Sequence, residues 1–118
     1  MARRTPDPLK RRHLVEEPLP APRALALAEG YLAEERVFDA LAFLAKAGAT
    51  DRLRALQGEA IARGDLFLVR EIAGVLGEEP SAATWSAVAD AAAAAGKERC
   101  VTEARRLAAA RSGERSRA

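Results

Sequence analysis

The sequence has few of the residues that build metal sites, nucleophilic catalytic sites and disulfide bonds. Its 118 residues include one histidine, His13, and one cysteine, Cys100. A zinc site or a Ser-His or Cys-His nucleophile needs several such side chains that converge, and an internal disulfide needs two cysteines. No glycine-rich phosphate loop and no His-Glu-x-x-His pattern occurs. We therefore expect a protein that is not an enzyme and that uses no metal or cofactor.

Aromatic residues and long apolar runs are also scarce. Aromatic residues make up 4% of a chain that is 49% hydrophobic, because about a quarter of its residues are alanine. Alanine favours closely packed helices, whereas strands prefer β-branched and aromatic side chains. No apolar stretch follows the basic N-terminus as a signal peptide or membrane anchor would require. We expect an all-α, cytoplasmic protein with no membrane partner.

Charge is segregated along the chain. Residues 1–12 and residues 105–118 each carry net +4, which leaves net −6 for the rest of a chain whose total is +2. Five of the six prolines lie in residues 1–22. These features divide the chain into a basic, proline-rich N-terminal arm (1–21), a helical domain (22–111) and a basic C-terminal tail (112–118).

The N-terminal arm is expected to be extended, with at most a short helical turn around residues 9–15, because proline fixes φ and lacks an N–H donor. One interpretation is a solvated tail. The other is an anchoring arm, because Leu9, Leu14 and Val15 have near-helical spacing and could pack on another surface. The basic residues of the arm are Arg3, Arg4, Lys10, Arg11 and Arg12.

From residue 22 onward the apolar pattern predicts six short helices. Gly48 and Gly77 stand just after predicted helix ends, Ser81 and either Thr50 or Asp51 are N-cap candidates, and a weaker break falls at residues 34–36. The predicted helices are 22–34, 37–47, 51–62, 66–76, 82–95 and 98–111.

The strongest pattern is an internal repeat. Residues 27–31, 56–60 and 88–92 align at separations of 29 and 32 residues, and the alignment superimposes the turns at Glu35, Gly64 and Gly96. A repeat of this length corresponds to one helix hairpin. Small residues in the repeat, among them Ala28, Ala40, Ala47, Ala89 and Ala92, suit close helix packing, and the run 91–95 suggests burial on several sides.

The first repeat places Leu27-Ala28, Tyr31, Ala40, Leu44 and Ala47 at the spacing of the tetratricopeptide repeat (TPR), and Trp85, Val88 and Ala89 fit in the third. The sequence thus resembles a TPR array of about three hairpins over residues 22–111. The resemblance implies a right-handed α-solenoid of six helices. The chain departs from the usual period of 34 residues and has no proline after the first hairpin. Another α-solenoid and a compact six-helix bundle are the alternatives.

The resemblance also implies a function, namely an adaptor or assembly subunit that holds a protein or peptide in a groove lined by the first helix of each hairpin. The matching groove positions are Leu25, Glu29, Leu32, Arg54, Gly58, Ile61, Ser86, Asp90 and Ala93. Some TPR proteins grip a C-terminal carboxylate with Lys, Asn and Arg, but the matching positions here are Leu25, Glu29, Ala55, Ala83 and Ala87. The clamp is therefore absent.

Two other modes of association follow from the sequence. The two basic ends could bind RNA or DNA, although the few aromatic residues and the acidic body argue against base stacking and a broad basic surface. The last hairpin could support a homodimer, unless Glu103, Arg105 and Arg106 solvate its outer face.

Overall fold

The computed structural model describes the backbone of residues 5–117 and the side chains of residues 5–113. The described backbone forms seven α-helices and no strand, so the all-α class is confirmed and the helix count is seven rather than six. The chain divides into two compact units, the first ending at Leu53 and the second beginning at Arg54. The helices are α1 (Pro8–Glu16), α2 (Ala21–Ala33), α3 (Val37–Lys46), α4 (Thr50–Arg63), α5 (Leu66–Leu76), α6 (Ala82–Ala94) and α7 (Glu98–Arg117).

Helices α2 to α6 all end in the same hydrogen-bonded turn. After each helix one residue has φ between 59° and 73°, and the next residue donates its N–H to the carbonyl five residues back at 2.9–3.0 Å. This Schellman arrangement satisfies carbonyls that a helix end otherwise leaves without a partner. Three of the positive-φ residues, Glu35, Gly64 and Gly96, are the turn positions that the repeat alignment superimposes.

The N-terminal arm differs from the extended segment that its prolines suggest. Pro8–Glu16 is helical because Pro8 occupies the first turn, where its missing N–H costs nothing, and Asp7 accepts a first-turn N–H at 2.9 Å. Leu14 is 4% exposed and Val15 is half-buried, whereas Leu9 is 69% exposed. The anchoring interpretation of the arm is therefore the correct one for this helix.

The first unit has an aromatic core. Tyr31 from α2 and Phe43 from α3 are fully buried, and their nearly parallel rings stack with centroids 5.8 Å apart. The small side chains of Ala28 in α2 and Ala40 in α3 are also fully buried. The hairpin therefore combines one large ring pair with close helix contacts.

The second unit brings two backbones into direct contact. Gly64, after α4, lies against α6, and a Cβ added to it would lie 2.5 Å from the Cα of Ala92 and 2.9 Å from the carbonyl carbon of Ala91. The next residue, Asp65, is the N-cap of α5 and accepts the N–H of Leu68 at 3.2 Å. Glycine is required at position 64 both by its φ of 68° and by the lack of space.

The predicted helices α2 to α6 agree with the structure to within two residues at each end, and Ser81 is an N-cap as expected. Thr50 lies inside α4 rather than before it, and α7 continues from the predicted end at residue 111 to Arg117. The prediction that the alanine run 91–95 is buried on several sides is wrong. Within the run only Ala92 is buried, and residues 93–95 are exposed. One side of α6 therefore faces solvent there.

Candidate interaction surfaces

In the first unit the predicted groove positions lie on α2. Leu25 is 39% exposed, Glu29 is exposed and Leu32 is half-buried. The carboxylate of Glu29 accepts two hydrogen bonds from Arg52, at 3.1 and 3.3 Å. The helix α2 thus carries an exposed apolar side chain, Leu25, and a hydrogen-bonded carboxylate, Glu29.

In the second unit two predicted groove positions lie on α4. Arg54 and the half-buried Ile61 border a cleft of about 230 Å³ at the loop that joins α5 to α6. Arg54 donates to both carboxylate oxygens of Glu78, one of them at 3.1 Å, and this bond holds the pKa of Glu78 below its ordinary value. The cleft border thus carries a bonded pair of opposite charges.

Three of the remaining groove positions lie on α6 and the fourth lies on α4. Ser86 and Asp90 are exposed, as is Ala93, and Gly58 on α4 is exposed as well. The carboxylate of Asp90 lies 3.6 Å from the guanidinium of Arg105. Since most of these side chains face solvent, they are accessible to a partner, and the groove itself stays a prediction.

The basic arm does not present all of its cations to solvent. Arg3 and Arg4 lie outside the described residues. Lys10 is exposed, and Arg12 is exposed and pairs with Glu16 at 3.3 Å. Arg11 instead turns inward and is half-buried.

The side chain of Arg11 occupies a pocket formed by the two buried rings and by the first turn of α3. Its Cζ lies 5.6 Å from the centroid of Tyr31 and 5.5 Å from that of Phe43, within cation–π range of both. One terminal nitrogen donates to the carbonyl of Asp39 at 2.9 Å, and Nε lies 3.6 Å from the carboxylate of the same residue. We call this the arginine pocket.

A second arginine, Arg36, contacts Tyr31 and the acidic side chains of Asp39 and Glu34 beside the arginine pocket. Arg36 lies with its Cζ 4.8 Å from the Tyr31 centroid, bonds Asp39 at 2.9 Å and lies 3.6 Å from Glu34. Burial raises the pKa of Tyr31 above its ordinary value of 10.0, although Arg11 and Arg36 oppose the shift. The phenol is therefore neutral at physiological pH.

Two phenylalanines that the predicted repeat alignment superimposes are exposed. Phe38, the second residue of α3, is 53% exposed, and Phe67, the second residue of α5, is 64% exposed. They stand 29 residues apart, the separation that aligns the first two repeats, and the third repeat has Arg99 at this position. Sequence reasoning missed both residues, although comparing the aligned repeats at every apolar position would have found them.

Comparisons of the chain with protein-family models, with curated proteins and with solved structures find no match. The TPR resemblance is therefore a prediction made from the residues alone. Among residues 5–117, no helix is long and apolar enough to cross a membrane. The same residues contain no group of three or more His, Cys, Asp or Glu side chains placed to hold a metal ion, and Cys100 is a half-buried thiol.

Proposed function

We propose that this chain is a non-catalytic interaction module, an adaptor or assembly subunit, that binds a protein or peptide partner. The observation that carries the proposal is the pair of exposed phenylalanines, Phe38 and Phe67, at the same repeat position. Burying a fully exposed phenylalanine side chain yields about 1.5–3 kcal/mol, so covering either of these partly exposed rings yields roughly half of that, and aromatic residues are enriched at protein interfaces. A repeated exposed aromatic is thus better explained by a partner than by the stability of either hairpin.

The surroundings of Phe67 indicate the chemistry of that partner. Gly74 and Val75 lie about two turns further along α5 and are also exposed, and Val75 is 36% exposed. Residues seven and eight positions apart lie on one face of a helix, so this face is apolar near its two ends. Arg70 and Glu71 lie exposed between them, and Arg70 lies 3.5 Å from the carboxylate of Glu103, so we expect a partner surface with apolar groups and a cation that meets Glu71.

The arrangement of the helices as a TPR-like solenoid is part of the same proposal. The TPR resemblance supports a right-handed solenoid whose groove is lined by the first helix of each hairpin, with the positions given above. Phe38 and Phe67 stand on the second helices, α3 and α5. The two sets of residues are therefore separable by mutation, and a cytoplasmic location stays a prediction.

Nucleic-acid binding receives less support from the contacts of the basic ends. Arg11 is turned inward, Arg106 bonds Glu103 at 2.6–2.8 Å, and Arg111 bonds Glu79 at 2.8 Å. Phosphate binding at these sites would first have to break contacts with carboxylates. A homodimer through the last hairpin also lacks an apolar anchor, because no large apolar side chain of α7 within residues 98–113 is exposed.

The proposal is tested by affinity capture with two matched double variants. The first, Phe38→Ala with Phe67→Ala, removes the exposed aromatic pair. The second, Leu25→Ala with Ile61→Ala, removes apolar groups from the predicted groove. Each tagged protein is expressed in its native cell, and co-purifying proteins are quantified against wild type, with circular dichroism as the folding control.

We expect the phenylalanine variant to lose a specific co-purifying protein by about tenfold or more while its helicity stays at the wild-type level. If only the groove variant loses the co-purifying protein, the binding surface lies instead on the first helices of the hairpins. Recovery of RNA or DNA by wild type at high salt, with no protein that depends on either pair, would contradict the proposal.

A further inference from the structure

We propose that the arginine pocket is a recognition site for an arginine carried on a short basic helix, and that α1 is its intramolecular occupant. A partner segment of the same chemistry binds when it displaces α1. Its contacts use neither Phe38 nor Phe67, so the two proposals are tested by different variants.

The contacts that hold α1 act as four distinct anchors on one hairpin. The buried hydroxyl of Thr5 bonds both carboxylate oxygens of Glu34, at 3.0 and 3.1 Å. Arg11 enters the arginine pocket, and Leu14, three residues later on the same face, is 4% exposed. At the end of α1 the ammonium of Lys46 donates to the carbonyl of Glu17 at 2.8 Å.

The fit of α1 in the pocket is incomplete. The Tyr31 hydroxyl and Arg11 Nε are both buried and lack a hydrogen-bond partner among the described residues. A buried polar group without a partner costs about 1–3 kcal/mol, so the bound state of α1 carries a penalty that a better ligand need not incur. A ligand that places an acceptor near the Tyr31 hydroxyl, in addition to its guanidinium, would bind more favourably.

The length of α1 and its link to α2 also suit the release of α1 from the arginine pocket. The helix has nine residues, which is too short to persist by itself in water, and it joins α2 through a four-residue link that contains Pro18 and Pro20. The outward residues Leu9, Lys10 and Arg12 are exposed. These three side chains therefore contribute little to holding the helix in place.

These anchors define the ligand by its chemistry. It is a cationic helix with arginine and leucine three residues apart, a hydroxyl six residues before the arginine, and a free carbonyl just after its last turn. The carboxylate of Asp39, 3.6 Å from Arg11 Nε, selects the positive charge, and the two rings select the flat guanidinium over a lysine ammonium.

The test uses the full chain with Arg11→Ala and Leu14→Ala, which empties the pocket while keeping the hairpin. The probe is a fluorescent peptide of residues 5–17 of this chain, and binding is followed by polarization. Two matched peptides carry Arg11→Ala and Arg12→Ala, which remove the same charge from an inward and an outward position. A third peptide keeps only Thr5, Arg11, Leu14 and the C-terminal carbonyl on an alanine and glutamine background.

We expect the double variant to bind the native peptide at least about tenfold more tightly than wild type, whose own α1 competes at a millimolar effective concentration. The Arg12→Ala and anchor-only peptides should bind within about threefold of the native peptide, and the Arg11→Ala peptide about tenfold or more weakly. Equal weakening by both arginine substitutions, or no binding of the native peptide, would overturn the proposal.

A second measurement covers the case in which the double variant does not fold. A protease site inserted after Glu17 lets the wild-type chain be cut once it has folded, so that α1 is held by its contacts alone. Excess labelled native peptide should then exchange into the cut protein, whereas the labelled Arg11→Ala peptide should not. Equal exchange of the two peptides would overturn the proposal.

Discussion

At one aligned position of the predicted repeat, the two units have side chains of very different size. In the first unit this position holds Tyr31, a fully buried ring, whereas the aligned positions of the second unit hold the buried alanines Ala60 and Ala92. The backbone of Gly64 reaches Ala92 directly. The aligned positions therefore share burial without sharing side-chain size, because either a ring or an approaching backbone can fill the space.

The turns show the same contrast. Glu35 and Gly64 are aligned turn residues with φ of 59° and 68°. Glu35 is exposed, whereas a Cβ at position 64 would overlap the backbone of α6. The first unit thus tolerates a side chain where the second does not.

The largest effect should come from Gly64→Ala. A non-glycine residue at positive φ costs about 1–2 kcal/mol, and forced repacking adds about 1–3 kcal/mol, so we expect a loss of about 3 kcal/mol. Gly96→Ala is the control, since it has φ of 73° but open space, and should cost about 1 kcal/mol. Urea unfolding followed by the fluorescence of Trp85, the single tryptophan, reports on the second unit. Equal losses for the two variants would contradict the close backbone approach.

The next largest effect should come from Leu14→Ala in the first unit. Removing a buried leucine typically costs about 2–5 kcal/mol, and a value of about 2 kcal/mol is expected for this short helix. Leu9→Ala, on the exposed side of α1, should change stability by less than about 0.5 kcal/mol. Thermal unfolding by circular dichroism measures both, and an unchanged melting temperature for Leu14→Ala would show that α1 does not contribute to the first unit.

A smaller effect of opposite sign is expected for Tyr31→Phe. The substitution keeps the ring and removes a buried hydroxyl without a described partner, so it should stabilise the chain by about 1 kcal/mol. Because the folded pKa of Tyr31 lies above 10.0, the wild type should lose stability as pH rises past 10, and the variant should lose less. Destabilisation by Tyr31→Phe would show that the hydroxyl has a partner.

The smallest effect concerns Glu78 in the second unit. Its folded pKa lies below the ordinary 4.5, so its contribution is fully present above pH 4.5 and is lost as pH falls through the lower folded value. Glu78→Gln should flatten this acid loss slightly, and added salt should reduce the difference because the pair is exposed. Urea unfolding between pH 5 and pH 3 provides the comparison, and identical pH profiles would mean that the pair adds no stability.

The helices α2 to α6 could be predicted because glycine and proline mark their ends and Ser81 is a strong N-cap. The helix α1 is longer than the predicted short turn around residues 9–15, because Asp7 followed by Pro8 is a specific start signal. The helix α7 continues past the predicted end at residue 111, and a single glycine, Gly113, is tolerated inside it.

The candidate surfaces could be predicted only in part. The groove positions come from the family resemblance, and their exposure fits that interpretation without testing it. The arginine pocket could not be foreseen, because it joins Arg11 to Tyr31 and Phe43, which are 20 and 32 residues away along the chain. Such a contact depends on how α1 packs, and no periodicity encodes it.

The central claim, that the exposed phenylalanines contact a protein partner, is tested most directly by photo-crosslinking in the native cell. A photoreactive phenylalanine analogue replaces Phe38, Phe67 or, as control, the exposed groove residue Ser86, one position at a time. The account predicts that one protein is crosslinked from positions 38 and 67 and not from position 86. The account would be contradicted if position 86 alone crosslinked to a protein, or if all three positions crosslinked to nucleic acid.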